Sequence, residues 1–188
     1  EHPEYVGRLV FVQVAVPSRS GIQEYRALEE DLARQAEAIN KRWGKREWKP
    51  IRLLQRHFSQ QELAGLHLLA DFCVVSSLDN GMNLVAKEFV ASRVDGDGVL
   101  VLSSFAGAAR ELNEALLVNP FSCDEIADAI DAGITMEPAE RRRRMLRMRQ
   151  AVASNTVYHW AGEFLSATAA ATARTRYRGD RAAAVRVA

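Results

Sequence analysis

The sequence has little of what commits a chain to a specialised class. Among its 188 residues are two cysteines, five prolines and 7% aromatics, and no apolar run extends beyond a few residues. Cys73 and Cys123 stand alone, with no Cys-x-x-Cys and no histidine run beside them, which argues against a disulfide framework and a zinc site and suits a reducing, cytoplasmic setting. The roughly 20 apolar residues needed to cross a bilayer occur nowhere, and no charged-then-apolar leader opens the chain, so membrane and secretory roles are not expected. Charge of one sign is missing too: 25 basic against 24 acidic side chains leave +1, far from the balance that nucleic acid would favour. His2, His57, His67 and His159 lack ligand spacing, so no metal is expected.

What is present is an ordinary globular composition, 48% apolar and 26% charged, in a chain long enough to bury a core without staples. It begins at Glu1 with no Met and enters a strand pattern almost at once, so it reads as part of a longer protein. Five apolar, β-branched runs recur, at Leu9–Val16, Ile51–Leu54, Phe72–Ser76, Val99–Ser103 and Leu116–Val118. Between them the period changes to helical. Tyr25, Leu28, Leu32, Ala36 and Ile39 make a stripe along Ile22–Trp43, and Ser59 with Glu62 three residues on has capping-box spacing before a helix to Leu69. Met82–Ala91, Ala106–Leu112 and Ser122–Ala132 are further helical stretches.

Continuously apolar strands, each followed by a helix, predict an α/β class: a Rossmann-like parallel sheet with helices on both faces. After Pro138 the pattern is helical alone, Ala139–Val152 and then Val157–Ala173, so residues 1–173 form one domain ending in C-terminal helices. The Arg- and Ala-rich stretch 174–188 reads as a disordered tail.

In such sheets ligands sit beyond the carboxyl ends of the strands, where loops enter helices. The loop after the third run, Ser76-Ser-Leu-Asp-Asn-Gly-Met-Asn-Leu-Val-Ala-Lys-Glu88, carries the most chemistry. Asn80-Gly81 offers a tight turn open to a ligand, and Asn83 stands where an N-cap would, leaving the N–H groups of Leu84, Val85 and Ala86 at the positive end of a helix. That is an anion site suited to a diphosphate, with Glu88 placed to accept hydrogen bonds from vicinal hydroxyls. The same residues also suit a plain turn and a dipole-favoured acid, and the spacing matches neither the Rossmann glycine fingerprint nor a P-loop. Lys87 could reach a phosphate or lie along the helix surface; Asp71 suits a cap or turn better than catalysis. The run Arg141–Arg144, beside Glu137 and Glu140, suits a solvated helix face.

Gly81-Met-Asn-Leu-Val-Ala-Lys-Glu88, with Val101-Leu-Ser-Ser-Phe-Ala-Gly-Ala-Ala-Arg-Glu-Leu112 and Ala115-Leu-Leu-Val-Asn-Pro120, resembles the trehalose-6-phosphate synthases, retaining glycosyltransferases of family 20. The likeness runs in order from Leu9 to about Phe164, through Gln13-Val-Ala-Val-Pro-Ser-Arg19, Ile39-Asn40, His57-Phe58 and His159-Trp160. It implies a GT-B architecture, with this chain most of the C-terminal, donor-binding half and the N-terminal domain missing. It further implies transfer of glucose from UDP-glucose to glucose 6-phosphate, giving trehalose 6-phosphate by front-face transfer without a protein nucleophile or cofactor. The implied donor residues are Gly81, Met82, Asn83, Leu84 and Val85 on the diphosphate and glucose, Glu88 on the ribose, and Val14 and Phe58 beside the uracil. The resemblance departs at Asn80, where the family has an aspartate that contacts the donor glucose. This leaves two alternatives: a related sugar-phosphate synthase, for example one using glycerol 3-phosphate, and a degenerate homologue that binds nucleotide sugar without turning it over. The isolated chain is expected to be inactive, and association into a homo-oligomer is left open.

Overall fold

Val99–Ser103 is buried at all five positions, which is what a strand covered on both faces requires. In the computed structural model, which describes residues 2–16 and 22–184, it is the centre of a parallel sheet. The elements are β1 (Phe11–Val14), α1 (Gln23–Trp43), β2 (Ile51–Leu54), α2 (Gln60–Leu69), β3 (Phe72–Val75), α3 (Leu84–Ser92), β4 (Val99–Ser103), β5 (Leu116–Val118), α4 (Cys123–Thr135), α5 (Pro138–Ser154) and α6 (Val157–Ala184). The class is α/β, as the run of apolar strands and amphipathic stretches implies. The chain divides into two units, Glu1–Leu63 and Ala64–Ala188.

In the first unit β1 pairs in parallel with β2, from Phe11 opposite Ile51 to Val14 opposite Leu54. The Asn40 side chain both donates to the Ile51 carbonyl and accepts from its N–H, each at 2.9 Å, fixing the start of β2 against the last turn of α1. Of the apolar stripe on α1 only Ala36 is buried, and Leu28 stays exposed. The capping box forms as its spacing predicts: Ser59 N–H donates to Glu62 Oε2 at 2.8 Å, and Glu62 N–H to Ser59 Oγ at 3.2 Å.

The second unit has the order β3-β4-β5, all parallel. Alternation along β4 sends Leu100 and Leu102 into a core with Phe89 and Val90 of α3 and Met145 and Met148 of α5. Val99 and Val101 face Ile126, Ala129 and Ile130 of α4 on the other side. Each fully buried side chain of this kind contributes about 1.5–3 kcal/mol, so β4 is the main anchor of the unit. Cys73 lies in this core, where burial pushes its thiol up to about 12 and leaves it inert. Among the described residues no helix is long and apolar enough to cross a membrane.

Two expectations change. Ala106–Leu112, read as a helix, is a four-residue 3-10 turn at Gly107–Arg110, because the chain must drop quickly into β5. The stretch assigned to a disordered tail is helical backbone as far as Ala184, consistent with alanine and arginine being among the best helix formers; residues 185–188 lie outside the described residues.

A buried cation holds the lower end of this unit. Arg93, 5% exposed, donates to the carbonyls of His67 (3.1 Å), Leu68 (2.8 Å), Ala70 (2.6 Å) and Asp97, and to Asp95 Oδ2 at 2.8 Å. It thereby satisfies the orphan carbonyls at the end of α2. Arg93→Met strands several buried acceptors and is expected to lower unfolding stability by about 3 kcal/mol or more, read as a reduced denaturation midpoint of the full-length protein.

The run Arg141–Arg144 is more than a solvated face. Arg141 donates through Nε to Asp97 Oδ1 and through Nη2 to Asp97 Oδ2 at 2.8 Å, tying α5 to the loop before β4. Arg143 and Arg144 both reach Glu140, whose carboxyl they hold down at about 2. The Arg141 guanidinium, joined by the Gly98 N–H, likewise holds the Asp97 carboxyl below the ordinary aspartate value of 3.8. A carboxyl depressed in the folded state stabilises fully above its unfolded pKa and loses that contribution as pH falls through its folded pKa. Stability should therefore drop in acid below about pH 4, and Asp97→Asn should lower stability at neutral pH while flattening that acid loss. Unfolding midpoints measured against pH check this.

Candidate functional site

The loop between β3 and α3 is built by three side-chain and backbone devices. Asn83 takes a left-handed conformation, φ 72°, which asparagine tolerates better than most residues, and caps α3 by accepting from Ala86 N–H at 3.0 Å. Its Nδ2 donates to Ser77 Oγ at 3.1 Å, so both ends of this buried amide are used. One turn earlier Asn80 Oδ1 accepts from Met82 N–H at 3.1 Å, an Asx turn across Gly81.

The third device comes from a distant segment. The 3-10 turn after β4 donates Gly107 N–H to the Asn80 carbonyl at 2.8 Å and Ala108 N–H to the Met82 carbonyl at 2.7 Å, and Ala106 bridges Asn80 in parallel. Gly107 sits so close beneath the loop that a Cβ there would overlap the Gly81 carbonyl oxygen. Gly107, Ala108 and Ser77 are site-building residues that the sequence reading passes over. A glycine at a helix start is a faint sign of close backbone approach, and it is the only signal available.

The opening of α3 is what the loop presents. The N–H groups of Leu84 and Val85 have no partner among the described residues, and the two residues are 59% and 49% exposed. Ala86 differs from expectation: its N–H is occupied by the Asn83 cap, which removes it from any anion site. Glu88 is exposed, its carboxylate accepts no hydrogen bond among the described residues, and it lies four positions after Leu84, hence on the same helical face. The arrangement can thus take an anion at the helix start and hydroxyl donors one turn further on.

Lys87 takes neither role expected of it. Its Nζ donates to both Glu111 oxygens at 2.8 Å, and Asn155 Nδ2 donates to Glu111 Oε2 at 3.0 Å, so it braces α3 against the end of the 3-10 segment and the C-cap of α5. Residues this far apart in sequence give no periodic signal. Asn80, Gly81, Met82, Asn83, Leu84, Val85 and Glu88 therefore share one loop and helix in the second unit. Val14 and Phe58 belong to the first unit. Val14 is the last residue of β1, paired with Leu54; Phe58 is half-buried, with the Arg56 guanidinium carbon 3.8 Å from its ring centre. Pro17, Ser18 and Arg19 of the motif after β1 lie outside the described residues.

The family model for glycosyltransferase family 20 matches residues 1–170. The chain belongs to glycosyltransferase family 20. Its family relatives include an alpha,alpha-trehalose-phosphate synthase (UDP-forming) of Botryotinia fuckeliana, 42% identical over 88% of this chain and 32% of the relative. Another is the trehalose-6-phosphate synthase of Escherichia coli, 40% identical over 88% of this chain and 35% of the relative. Among solved structures of the family, the E. coli trehalose-6-phosphate protein bound with UDP-2-fluoro glucose superposes with a TM-score of 0.84 at 40% identity, covering 88% of this chain and 37% of that one. A synthase of Burkholderia xenovorans in complex with glucose-6-phosphate gives 0.83 at 36% identity, covering 87% and 36%. The chain thus spans about a third of the length of the curated family members it matches, between 32% and 35%.

Proposed function

We propose that the protein containing this chain is a retaining glucosyltransferase that moves glucose from UDP-glucose to glucose 6-phosphate, releasing UDP and trehalose 6-phosphate, and that this chain supplies the donor site. The observation that carries the reading is the start of α3, where two unpartnered N–H groups and the helix dipole meet an acid on the same face. In this reading Leu84 and Val85 N–H groups bind the donor diphosphate, with Gly81, Met82 and Asn83 shaping the wall around it. Glu88 accepts from the ribose hydroxyls. Val14 and Phe58 flank the uracil, and Asn80 contacts the glucose. The departing diphosphate takes the proton from the acceptor hydroxyl on the same face of the sugar, so retention needs no protein nucleophile. Stabilising charge on the leaving group is the chief task left to this chain, and a preorganised helix start performs it without reorganisation.

Asn80 favours a second reading, a homologue that binds nucleotide sugar and turns it over slowly or not at all. The two part on one assay. Full-length protein with UDP-glucose and glucose 6-phosphate should release UDP and form the disaccharide phosphate in equal amounts. UDP binding without product supports the second reading, and neither binding nor product overturns both. The sugar-phosphate acceptor, the remaining domain and any homo-oligomer are partners of the full-length protein.

A further inference from the structure

We propose that Asn80 is a self-modification site, converted by its own backbone into an acid. The chemistry needs a peptide nitrogen free to attack the side-chain amide of the residue before it. Asn80-Gly81 is the one Asn-Gly pair in the sequence. Both residues are exposed, and nothing lies within 4 Å of the position a Gly81 Cβ would take. The loop's hydrogen bonds leave that nitrogen unused. Gly107 and Ala108 hold the carbonyls of Asn80 and Met82, the Asn80 amide oxygen takes the Met82 N–H, and Gly81 N–H donates to no group among the described residues. The Asx turn also folds the Asn80 side chain back over the Asn80–Gly81 peptide, the direction that ring closure requires.

In the step itself Gly81 N forms a bond to Asn80 Cγ and the Cγ–Nδ2 bond breaks. The amide nitrogen leaves as ammonia with the proton that Gly81 N gives up, and a five-membered imide remains. Water opens the imide at Cγ to give aspartate, or at the main-chain carbonyl to give isoaspartate. The sum is amide plus water to acid plus ammonia, with no other reactant. Asn83 lies three residues on and is protected: it is 6% exposed, its amide is bonded at both ends, and the branched Leu84 follows it.

The experiment incubates folded full-length protein in ¹⁸O-labelled water and follows the tryptic peptide from His57 to Lys87, which contains both Asn80 and Asn83. An unfolded sample sets the time over which an unrestrained chain converts. The expected result is acid at Asn80 carrying one labelled oxygen, Asn83 unchanged, and a rate that rises with pH because attack uses the deprotonated nitrogen. Gly81→Ala, which fits the open space and whose φ is outside the left-handed region, should slow it by roughly an order of magnitude by hindering the nitrogen. No acid in the folded protein after the unfolded one has converted, or conversion unaffected by Gly81→Ala, overturns the proposal. Its catalytic consequence rests on the proposed transferase activity and is read separately. If aspartate forms and turnover does not change, the modification stands and the role given to a charge at position 80 fails.

Discussion

Asn80→Asp in the full-length protein is expected to raise kcat for UDP-glucose-dependent trehalose 6-phosphate formation by about a hundredfold, the usual worth of one preorganised charge in a transition state. The expectation follows from what Asn80 does and does not do in the loop. Its Oδ1 accepts from Met82 N–H at 3.1 Å, and a carboxylate accepts the same bond. Its carbonyl is held by Gly107 N–H, which the substitution does not touch. The turn is therefore kept, and the change is close to a pure gain of negative charge. Glycosyl transfer passes through an oxocarbenium-like state whose positive charge an adjacent carboxylate stabilises more than it stabilises the ground state. The gain should appear in kcat, with KM for the donor changed little. Equal kcat in the two forms would show that the position carries no electrostatic role.

Gly107→Ala should be damaging, and from a residue outside the loop between β3 and α3. The added Cβ would overlap the Gly81 carbonyl oxygen and lie 2.7 Å from the Gly81 carbonyl carbon and 3.2 Å from Met82 N. All three atoms are backbone, so no rotamer change relieves the contact. Either the loop lifts or the 3-10 turn sinks, and the two hydrogen bonds that Gly107 and Ala108 donate to the loop weaken together. UDP affinity is expected to fall ten- to a hundredfold, about 1.4–3 kcal/mol, measured by titration calorimetry. Gly65→Ala is the matched control: its Cβ meets nothing within 4 Å, so it should leave UDP affinity unchanged and favour α2 slightly.

Elements built on local chemistry were legible in the sequence. The strands at Ile51–Leu54 and Val99–Ser103, the Ser59–Glu62 capping box and the Asn83 cap all form where residue type and spacing place them. Each depends on residues within one turn or on a short run of mainly apolar side chains. What stayed hidden was long-range. Lys87 and Asn155 both find Glu111, Arg93 finds the carbonyls of His67, Leu68 and Ala70, Arg141 finds Asp97, and Gly107 finds Gly81. Charged side chains give no periodicity that names a partner tens of residues away, so Lys87 could be assigned only by its own reach. The Ala86 N–H departs from expectation for a related reason. A capping side chain supplies one helix-start donor with a partner as it leaves the others open, and composition alone does not say which. The fold was therefore readable before the bracing that holds the site in shape.

If the protein works as proposed, the start of α3 receives the donor's diphosphate. A crystal structure of the full-length protein with UDP bound tests it most directly. Phosphate oxygens are expected within hydrogen-bonding distance of the Leu84 and Val85 N–H groups, with the ribose hydroxyls on Glu88. A diphosphate bound elsewhere, with those two N–H groups still facing solvent, would contradict it.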